Sequence, residues 1–182
     1  MTQSPVSDPM TAEAFLAWAP TQPERYELVD GVPVLMTGAR VKHDRVLGAL
    51  FFRLYGATRG THCETFTDDI GVRTSPTSIF RPDLLIDCGK PEGDAMIAAE
   101  PVAVIEVLSP STSLFDSMRK SIAYKSVASI KAILLVDPDA PRAILIERAK
   151  GDIWREDLLV GADAEIRLPR VEVTLRLGDL YA

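Results

Sequence analysis

The sequence predicts a single α/β or α+β domain in which a mixed β-sheet is flanked by α-helices. Helical periodicity appears in two long segments, and short runs of β-branched and aromatic residues separated by turn formers fill most of the remaining chain. The length of 182 residues suits one domain, and a hydrophobic fraction of 47% is sufficient for a core. We therefore expect a flexible tail over residues 1–10 and one domain over residues 11–182.

The first elements of the domain are a short helix and a β-hairpin. Thr11 is a residue type that caps helices, and an apolar side follows it until Pro20 ends the segment. The stretch 26–35 then contains two short apolar runs joined by Asp30 and Gly31. An Asp-Gly pair between such runs is a strong signal for a hairpin turn.

The first long helix is expected over residues 42–58, because its apolar residues recur at helical spacing. β-Branched and aromatic residues then predict strands over 62–73 and 79–87. The run 103–108 is apolar except for one charge, which is typical of a central strand covered on both faces.

The remainder of the domain alternates in the same way. Residues 109–112 supply a turn and a helix cap, and helical composition continues to about Val127. Turn residues separate four further runs of strand character. These predicted strands cover 131–136, 143–147, 152–155 and 165–168.

Charge and composition exclude several classes of protein. Lys and Arg number 20 against 26 Asp and Glu, a net charge of −6, so no overall positive field favours nucleic acid or an anionic membrane. No run of about 18 apolar residues predicts a membrane span, and the N-terminus lacks a signal-peptide pattern. Cys63 and Cys88 are too few for a disulfide framework or a thiolate cluster. We expect a cytoplasmic protein in a reducing compartment, with no membrane partner.

Glu106 is the residue that packing explains least. An ionised carboxylate inside a buried apolar strand costs free energy unless it is paired, hydrogen-bonded or bound to a cation. A strand with one solvent-exposed face would account for it without any function. However, its direct neighbours and the residues two positions away are all apolar, so neither face is evidently exposed. Glu106 is therefore a candidate functional residue.

Asp83 shows a similar pattern, since it follows Pro82 and enters an apolar strand. Alone, it could equally be a turn residue at the end of a strand. With Glu106 on a neighbouring strand, it would supply two carboxylate ligands for Mg²⁺ (or Mn²⁺), which takes further ligands from water and substrate phosphate. The two residues together predict a metal site.

Chain length brings Lys120 close to Glu106. Glu106 lies about 10 Å before the turn that ends its strand, and Lys120 lies about 12 Å along the following helix. If that helix packs antiparallel to the strand, the two side chains are level. Asp116 and Tyr124 lie one turn away on the same helical stripe. An exposed Asp116–Lys120 ion pair is the alternative interpretation.

Glu27 and His43 are weaker candidates. Glu27 lies beside the hairpin turn and His43 near the start of the first long helix, where each could be an ordinary surface residue. Other chemistries are not indicated. Two histidines and two cysteines do not predict a structural zinc site, and the sequence lacks glycine motifs for phosphate or dinucleotides and a Gly-x-Ser-x-Gly nucleophile motif.

Several of these segments together resemble the bacterial Uma2 family of restriction-endonuclease-like proteins, within the PD-(D/E)XK nuclease superfamily. The resemblance runs in order from about residue 11 to residue 180, and Glu-Val-Leu-Ser-Pro-Ser-Thr is its most specific segment. The matching positions, in order, are 26–31, His43, 81–83, 104–112, Asp116, Lys120, Tyr124 and 135–138.

The resemblance implies a restriction-endonuclease-like core, with Asp83 and Glu106 in the acidic positions of the superfamily motif. The motif lysine that normally follows the second acid closely is absent, and Lys120 on the next helix would replace it. Glu27 would match an additional acid of the family and a further metal ligand, and His43 its histidine at a helix start. The implied activity is Mg²⁺-dependent hydrolysis of phosphodiester bonds in DNA.

Two alternatives to a DNA endonuclease are compatible with the sequence. The fold could serve as a catalytically inactive binding module, since a fold alone does not define a function. A phosphodiesterase could also act on RNA or on small nucleotides. The net charge opposes DNA binding, whereas five basic residues grouped around the first long helix favour it.

The first long helix also predicts self-association. Its apolar residues surround most of the circumference, whereas a surface helix of a monomer normally has one apolar stripe. We expect a second copy to cover the surplus around Phe52 in a homodimer. The alternative is that other segments of the same chain cover this helix.

Overall fold

The computed structural model describes residues 8–108, 114–168, 171 and 173–181. In this part of the chain the α-helices are α1 (Ala12–Trp18), α2 (Val41–Thr58) and α3 (Leu114–Lys125), and 3₁₀ helices cover Ala19–Thr21 and Leu177–Leu180. The strands are β1 (Tyr26–Val29), β2 (Val32–Leu35), β3 (Glu64–Thr67), β4 (Val72–Ser75), β5 (Ser78–Phe80), β6 (Leu84–Asp87), β7 (Pro101–Val107), β8 (Ala132–Val136), β9 (Arg142–Lys150), β10 (Ile153–Val160), β11 (Glu165–Leu168) and β12 (Val173–Arg176). No helix among the described residues combines the length and the apolar character needed to cross a membrane. These elements confirm the predicted α+β class.

The larger sheet has six strands in the order β10-β9-β8-β7-β6-β3. It is mixed, because β7 and β8 are parallel and every other neighbouring pair is antiparallel. The parallel pair arises because α3 connects β7 to β8 and returns the chain to the same end of the sheet. β7 and β8 are buried at every position, as the apolar run 103–108 predicts.

Helices α2 and α3 cover opposite faces of this sheet. Successive residues of a strand point to opposite faces. Accordingly, Ile105 of β7 lies in one apolar cluster with Leu50 of α2, whereas Val104 lies in another with Tyr124 of α3. Glu106 has the parity of Val104 and therefore points to the α3 face.

A second sheet of four strands has the order β2-β1-β5-β4. Its β1–β2 hairpin confirms the predicted turn, since Asp30 and Gly31 have the positive φ angles (49° and 81°) that a type I′ turn requires. Thr11 caps α1 through its side-chain oxygen, also as expected. Phe15 of α1 and Leu28 of β1 belong to one buried cluster, which packs the helix against this sheet.

The structure corrects two strand predictions. The predicted strands 62–73 and 79–87 are each broken in two, and the halves belong to different sheets: β3 and β6 to the larger, β4 and β5 to the smaller. A turn at residues 68–69 causes the first break. Pro82, which has no N–H to donate, causes the second. β12, which pairs with β11, has no counterpart among the predicted strands.

Cys63 and Cys88 form a disulfide, which corrects the expectation drawn from the cysteine count. Glu64 pairs with Asp87 in the β3–β6 ladder, so the next residues outward, the two cysteines, lie opposite each other. A count of cysteines cannot reveal this register. The bond also removes the argument from cysteine usage for a reducing compartment.

Candidate active site

Asp83 directly precedes β6, and Glu106 lies on the neighbouring strand β7 of the larger sheet. The antiparallel β6–β7 ladder ends with Leu84 opposite Ile105, so Asp83 and Glu106 are adjacent where this register continues outward. Residues directly opposite in an antiparallel ladder project from the same face of the sheet. The register thus brings two carboxylates together from distant parts of the chain.

One oxygen of Asp83 is held by two groups. The Val107 backbone N–H donates to Asp83 Oδ2 over 2.7 Å, and His43 Nε2 lies 3.3 Å from the same oxygen. His43 is buried in the first turn of α2. Its hydrogen bond to Asp83 raises the pKa of the imidazole, because the carboxylate stabilises the protonated ring. His43 therefore orients Asp83.

Glu106 is buried and has two partners on α3. The Tyr124 hydroxyl donates to Glu106 Oε1 over 2.8 Å, and Lys120 Nζ lies 3.7 Å from the same oxygen. Burial raises the pKa of Glu106 from 4.5 to about 8, while the positive charge of Lys120 opposes the rise. The negative charges of Asp83 and Glu27 add to it. Without a cation, these surroundings therefore favour the protonated form of Glu106.

Glu27 reaches the same region from the smaller sheet. Its Oε1 atom accepts hydrogen bonds from Lys120 Nζ over 2.8 Å and from the Arg81 backbone N–H over 2.7 Å. The side chains of Glu27 and Lys120 are only 9% and 12% exposed, so water screens this ion pair weakly. Lys120 thus lies between Glu27 and Glu106 and contacts both.

The chemistry of Asp83 and Glu106 fits a hard divalent cation. In the described part of the chain each has one hydrogen-bonded oxygen and a second oxygen that accepts no hydrogen bond. Carboxylate oxygens are ligands that Mg²⁺ and Mn²⁺ prefer. No three carboxylates among the described residues bring their oxygens within 4.8 Å of one another. Asp83 and Glu106, adjacent along the β6–β7 register, are the candidate ligands, and Lys120 joins Glu27 to Glu106.

A different group of three potential ligands lies at the other end of β6. His62, Cys63 and Cys88 have ligand atoms within 4.8 Å of one another, and they form the one such group in the described residues. Its two sulfur atoms are bonded to each other. The oxidised protein therefore offers no thiolate at this position.

Lys120 lies level with Glu106, where chain length placed it. The alternative of an exposed Asp116–Lys120 pair does not describe its surroundings, because Lys120 is largely buried and contacts Glu27 and Glu106. The side chain of Asp116 and the predicted turn at 109–112 lie outside the described residues. The catalytic role of Lys120 stays a prediction.

Sequence patterns assign no role to two residues that contact the site. Tyr124 donates to Glu106, and the Arg81 N–H donates to Glu27. The spacing of Tyr124, four residues after Lys120, indicates a shared helix face and could have suggested its contact. Arg81 carries no such signal, because it acts through a backbone N–H that every residue except proline has.

The fold and the site together define a class of protein, a restriction-endonuclease-like α+β domain. Its site combines two opposed carboxylates with a lysine from a helix that covers the sheet. A crystal structure described as a "putative nuclease belonging to DUF820", from Anabaena variabilis ATCC 29413, has a similar fold. Its TM-score is 0.76 at 18% sequence identity, over 95% of this chain and 98% of that one. At this identity the similarity concerns the fold alone.

The chain belongs to the Uma2 family, described as "Putative restriction endonuclease", whose model matches residues 12–177. Two proteins of Synechocystis sp. (strain ATCC 27184 / PCC 6803 / Kazusa) are also similar. The uncharacterized protein sll1609 is 24% identical over 168 residues (90% of this chain, 95% of its own), and slr1290 is 26% identical over 161 residues (87% and 83%). The family confirms the resemblance read from the sequence and supports a nuclease that acts on nucleic acid. Restriction-endonuclease-like families generally use divalent metal ions.

Proposed function

We propose that this protein is a divalent-metal-dependent endonuclease that hydrolyses phosphodiester bonds in DNA. The proposal depends on one observation: Asp83 and Glu106 are opposed in the β6–β7 register, with Lys120 Nζ 3.7 Å from the Glu106 carboxylate. Paired carboxylates beside a cationic group suit metal-assisted hydrolysis of a phosphodiester. The family match supports the same class of reaction.

Asp83 and Glu106 are the proposed ligands of Mg²⁺ or Mn²⁺. His43 orients Asp83 and Tyr124 orients Glu106, so each carboxylate presents its second oxygen in a defined direction. A bound cation would supply Lewis-acid polarisation of the scissile phosphate. We assign His43 a positioning role, because its Nε2 contacts a proposed ligand.

Lys120 is the proposed catalytic lysine. Hydrolysis joins a water oxygen to phosphorus and breaks the bond from phosphorus to the leaving ester oxygen, which takes a proton. Negative charge on the phosphoryl and leaving oxygens must be stabilised during this step. The Lys120 ammonium group, held by Glu27 at 2.8 Å, would stabilise that charge or orient the attacking water. Glu27, the third proposed ligand, would reach the cation through water.

DNA is the proposed substrate, although the net charge of the chain is −6. Two basic residues of α2, Lys42 and Arg53, are paired with aspartates and contribute little positive field. Arg40 is exposed at the start of α2, close in sequence to His43. We expect phosphate contacts at this end of the helix to be few, so DNA affinity should depend only weakly on salt concentration.

The proposed setting is a homodimer in the cytoplasm. Cytoplasmic localisation follows from the substrate, because DNA lies in the cytoplasm of the bacteria that carry this family. Dimerisation suits a reaction on two strands of a duplex, each of which one copy could cut. The exposed outer face of α2 supports a contact between two copies.

Matched variants of the carboxylates test the metal site. We expect the wild type to nick plasmid DNA in Mg²⁺ or Mn²⁺ and to be inactive in EDTA. Asp83→Asn and Glu106→Gln should each lower turnover by about a hundredfold or more and weaken cation binding in calorimetry. Glu156→Gln changes an exposed carboxylate that pairs with Lys125, and this control should retain both properties.

Three results would contradict this assignment. Equal cation affinity in the wild type and in both variants would refute the metal ligands. Cleavage of RNA or small nucleotides without cleavage of DNA would refute the substrate. Cation binding at Asp83 and Glu106 without cleavage of any of these substrates would indicate a binding module.

Lys120→Met should separate catalysis from cation binding. Its ammonium group is proposed to act in the transition state, so we expect kcat to fall by about a hundredfold at saturating metal while cation affinity changes only a few-fold. Lys125→Met, on the same helix, is the control and should cleave normally. Single-turnover cleavage and calorimetry make the comparison. Normal cleavage by Lys120→Met would rule out this residue as the catalytic lysine.

A further inference from the structure

Helix α2 has an exposed stripe that the other described residues leave uncovered. Its opposite side, which includes Val46, Leu50 and Leu54, is buried in the core. The exposed stripe consists of Val41, Arg45, Gly48, Phe52 and Tyr55 of the helix and of Arg59 directly after it, at spacings of three and four residues. Val41 is 68% exposed and Phe52 is 79% exposed. Late segments of the same chain, β11, β12 and Leu177–Leu180, cover the apolar sides of α2, as the alternative interpretation expects, but no described residue covers this stripe.

The composition of this stripe is unusual for the outer side of a helix. Outer faces normally carry charged and polar residues. A single exposed Phe would need no explanation. Here, however, four of the six positions are aliphatic, aromatic or glycine, and the other two are arginines. A helix face with so few polar side chains is suited to burial against another surface.

The shape of the stripe points to a second copy of the chain as its occupant. Gly48 presents bare backbone to solvent, since no atom lies within 4 Å of the position that a Cβ would take. Phe52 projects from the same face one turn later. If two α2 helices cross antiparallel about a two-fold axis level with residue 50, each Phe52 lies opposite Gly48 of the other copy. Each large side chain then packs over the glycine of the other helix, where no side chain obstructs it.

Charges on α2 favour the same register. Arg45 lies opposite Tyr55 of the second copy, which suits a cation–π contact. Asp44 lies within one turn of Arg59 of the second copy, and both residues are exposed and form no ion pair within the described part of the chain. If the two helices were shifted by one turn in one direction, Arg45 would lie opposite Arg59 of the second copy. A shift of one turn in the other direction would place the Gly48 residues of the two copies opposite each other.

We propose that a second copy of this chain docks on α2 as an antiparallel, two-fold symmetric helix pair, with Phe52 of each copy packed against Gly48 of the other. Docking needs neither metal nor nucleic acid, so the interface is independent of the proposed activity. His43, which contacts Asp83, lies in the first turn of α2. The two candidate sites would therefore lie at opposite ends of the helix pair.

Light scattering of metal-free protein at micromolar concentrations tests the interface. The expected mass is twice the chain mass of 19.9 kDa. Phe52→Glu should give the mass of one chain, because docking would move a charged side chain out of water into the contact with Gly48. Ile122→Glu replaces another exposed apolar residue, on α3, and this control should remain a dimer.

A charge swap tests the register. Asp44→Arg and Arg59→Asp should each weaken the dimer several-fold, and the double variant should recover it because the ion pair is rebuilt with its signs reversed. Circular dichroism verifies that each variant is folded. A single-chain mass at every concentration, a dimer that survives Phe52→Glu, or a double variant weaker than both single variants would overturn the proposal. If the wild type is a monomer and Phe52→Glu lowers its affinity for DNA, the stripe binds nucleic acid and the proposal is overturned.

Discussion

Asp87 and Glu106 are two buried carboxylates of the larger sheet, and they differ in their hydrogen-bond partners. Asp87 accepts three backbone N–H hydrogen bonds over 2.6–2.9 Å, so its charge is stabilised within the chain. Glu106 accepts one hydroxyl hydrogen bond and has the Lys120 ammonium group 3.7 Å away. Incomplete stabilisation, rather than burial, therefore distinguishes the candidate ligand from the structural carboxylate.

Glu106 should also make stability depend on pH. Its pKa rises from 4.5 to about 8 on folding, so the folded state binds more protons between these values. The contribution to stability is complete below pH 4.5 and is lost as the pH rises through 8. Glu106→Gln removes this titration. The free energy of unfolding of the variant, minus that of the wild type, should rise by up to about 1.4 kcal/mol per pH unit in this interval and then level off.

Urea unfolding in EDTA at several pH values measures this difference. Glu156→Gln, at an exposed position, is the control and should follow the wild type throughout. A constant difference between Glu106→Gln and the wild type would show that Glu106 does not hold a proton in the folded protein.

At the scale of elements, strand register assembles the site. β6 and β7 oppose Asp83 to Glu106, and α3 adds Lys120 and Tyr124 from one helix face. A slip of one residue between strands would turn Asp83 to the other face of the sheet. The edge strand β3 pairs with β6 alone, and the Cys63–Cys88 disulfide joins these two strands at the end away from Asp83.

The disulfide should contribute to stability but not to cleavage. It links cysteines separated by 25 residues, and a cross-link of that span stabilises a protein by about 3 kcal/mol through the unfolded chain. We expect reduction, or Cys88→Ser, to lower the free energy of unfolding by about this amount. Cleavage should persist, because the bond lies far along β6 from Asp83. Urea unfolding with and without reductant measures the effect.

The Cys88→Ser variant provides the control for this experiment. Its stability should not respond to reductant, since it has no disulfide to lose. Thiol titration of the oxidised, denatured protein should find no free thiol. Two free thiols per chain would contradict the Cys63–Cys88 bond.

At the scale of the whole molecule, the candidate site lies where four parts of the fold meet. The smaller sheet supplies Glu27, the larger sheet supplies Asp83 and Glu106, α2 supplies His43, and α3 supplies Lys120. None of these parts holds the site alone. A change that separates the two sheets should therefore affect the candidate site before it affects the core, because the lysine is shared between carboxylates of both sheets.

The sequence by itself determined the fold class, most of the elements and the principal candidates of the site. Asp30-Gly31 predicts the hairpin turn, and the apolar run 103–108 predicts the buried central strand, because both patterns involve residues adjacent in the chain. Glu106 was identifiable because a charge contradicts its apolar neighbours. Lys120 was identifiable because rise per residue in strands and helices converts sequence separation into distance.

Only the tertiary structure decided which distant residues meet. It divides the predicted strands 62–73 and 79–87 between two sheets and joins Cys63 to Cys88 in a disulfide. It also brings Lys120 within hydrogen-bond distance of the Glu27 carboxylate. Each of these outcomes depends on the register between strands or on the packing of one sheet against a helix. Register and packing are set by contacts between segments far apart in the chain, and no local periodicity encodes them.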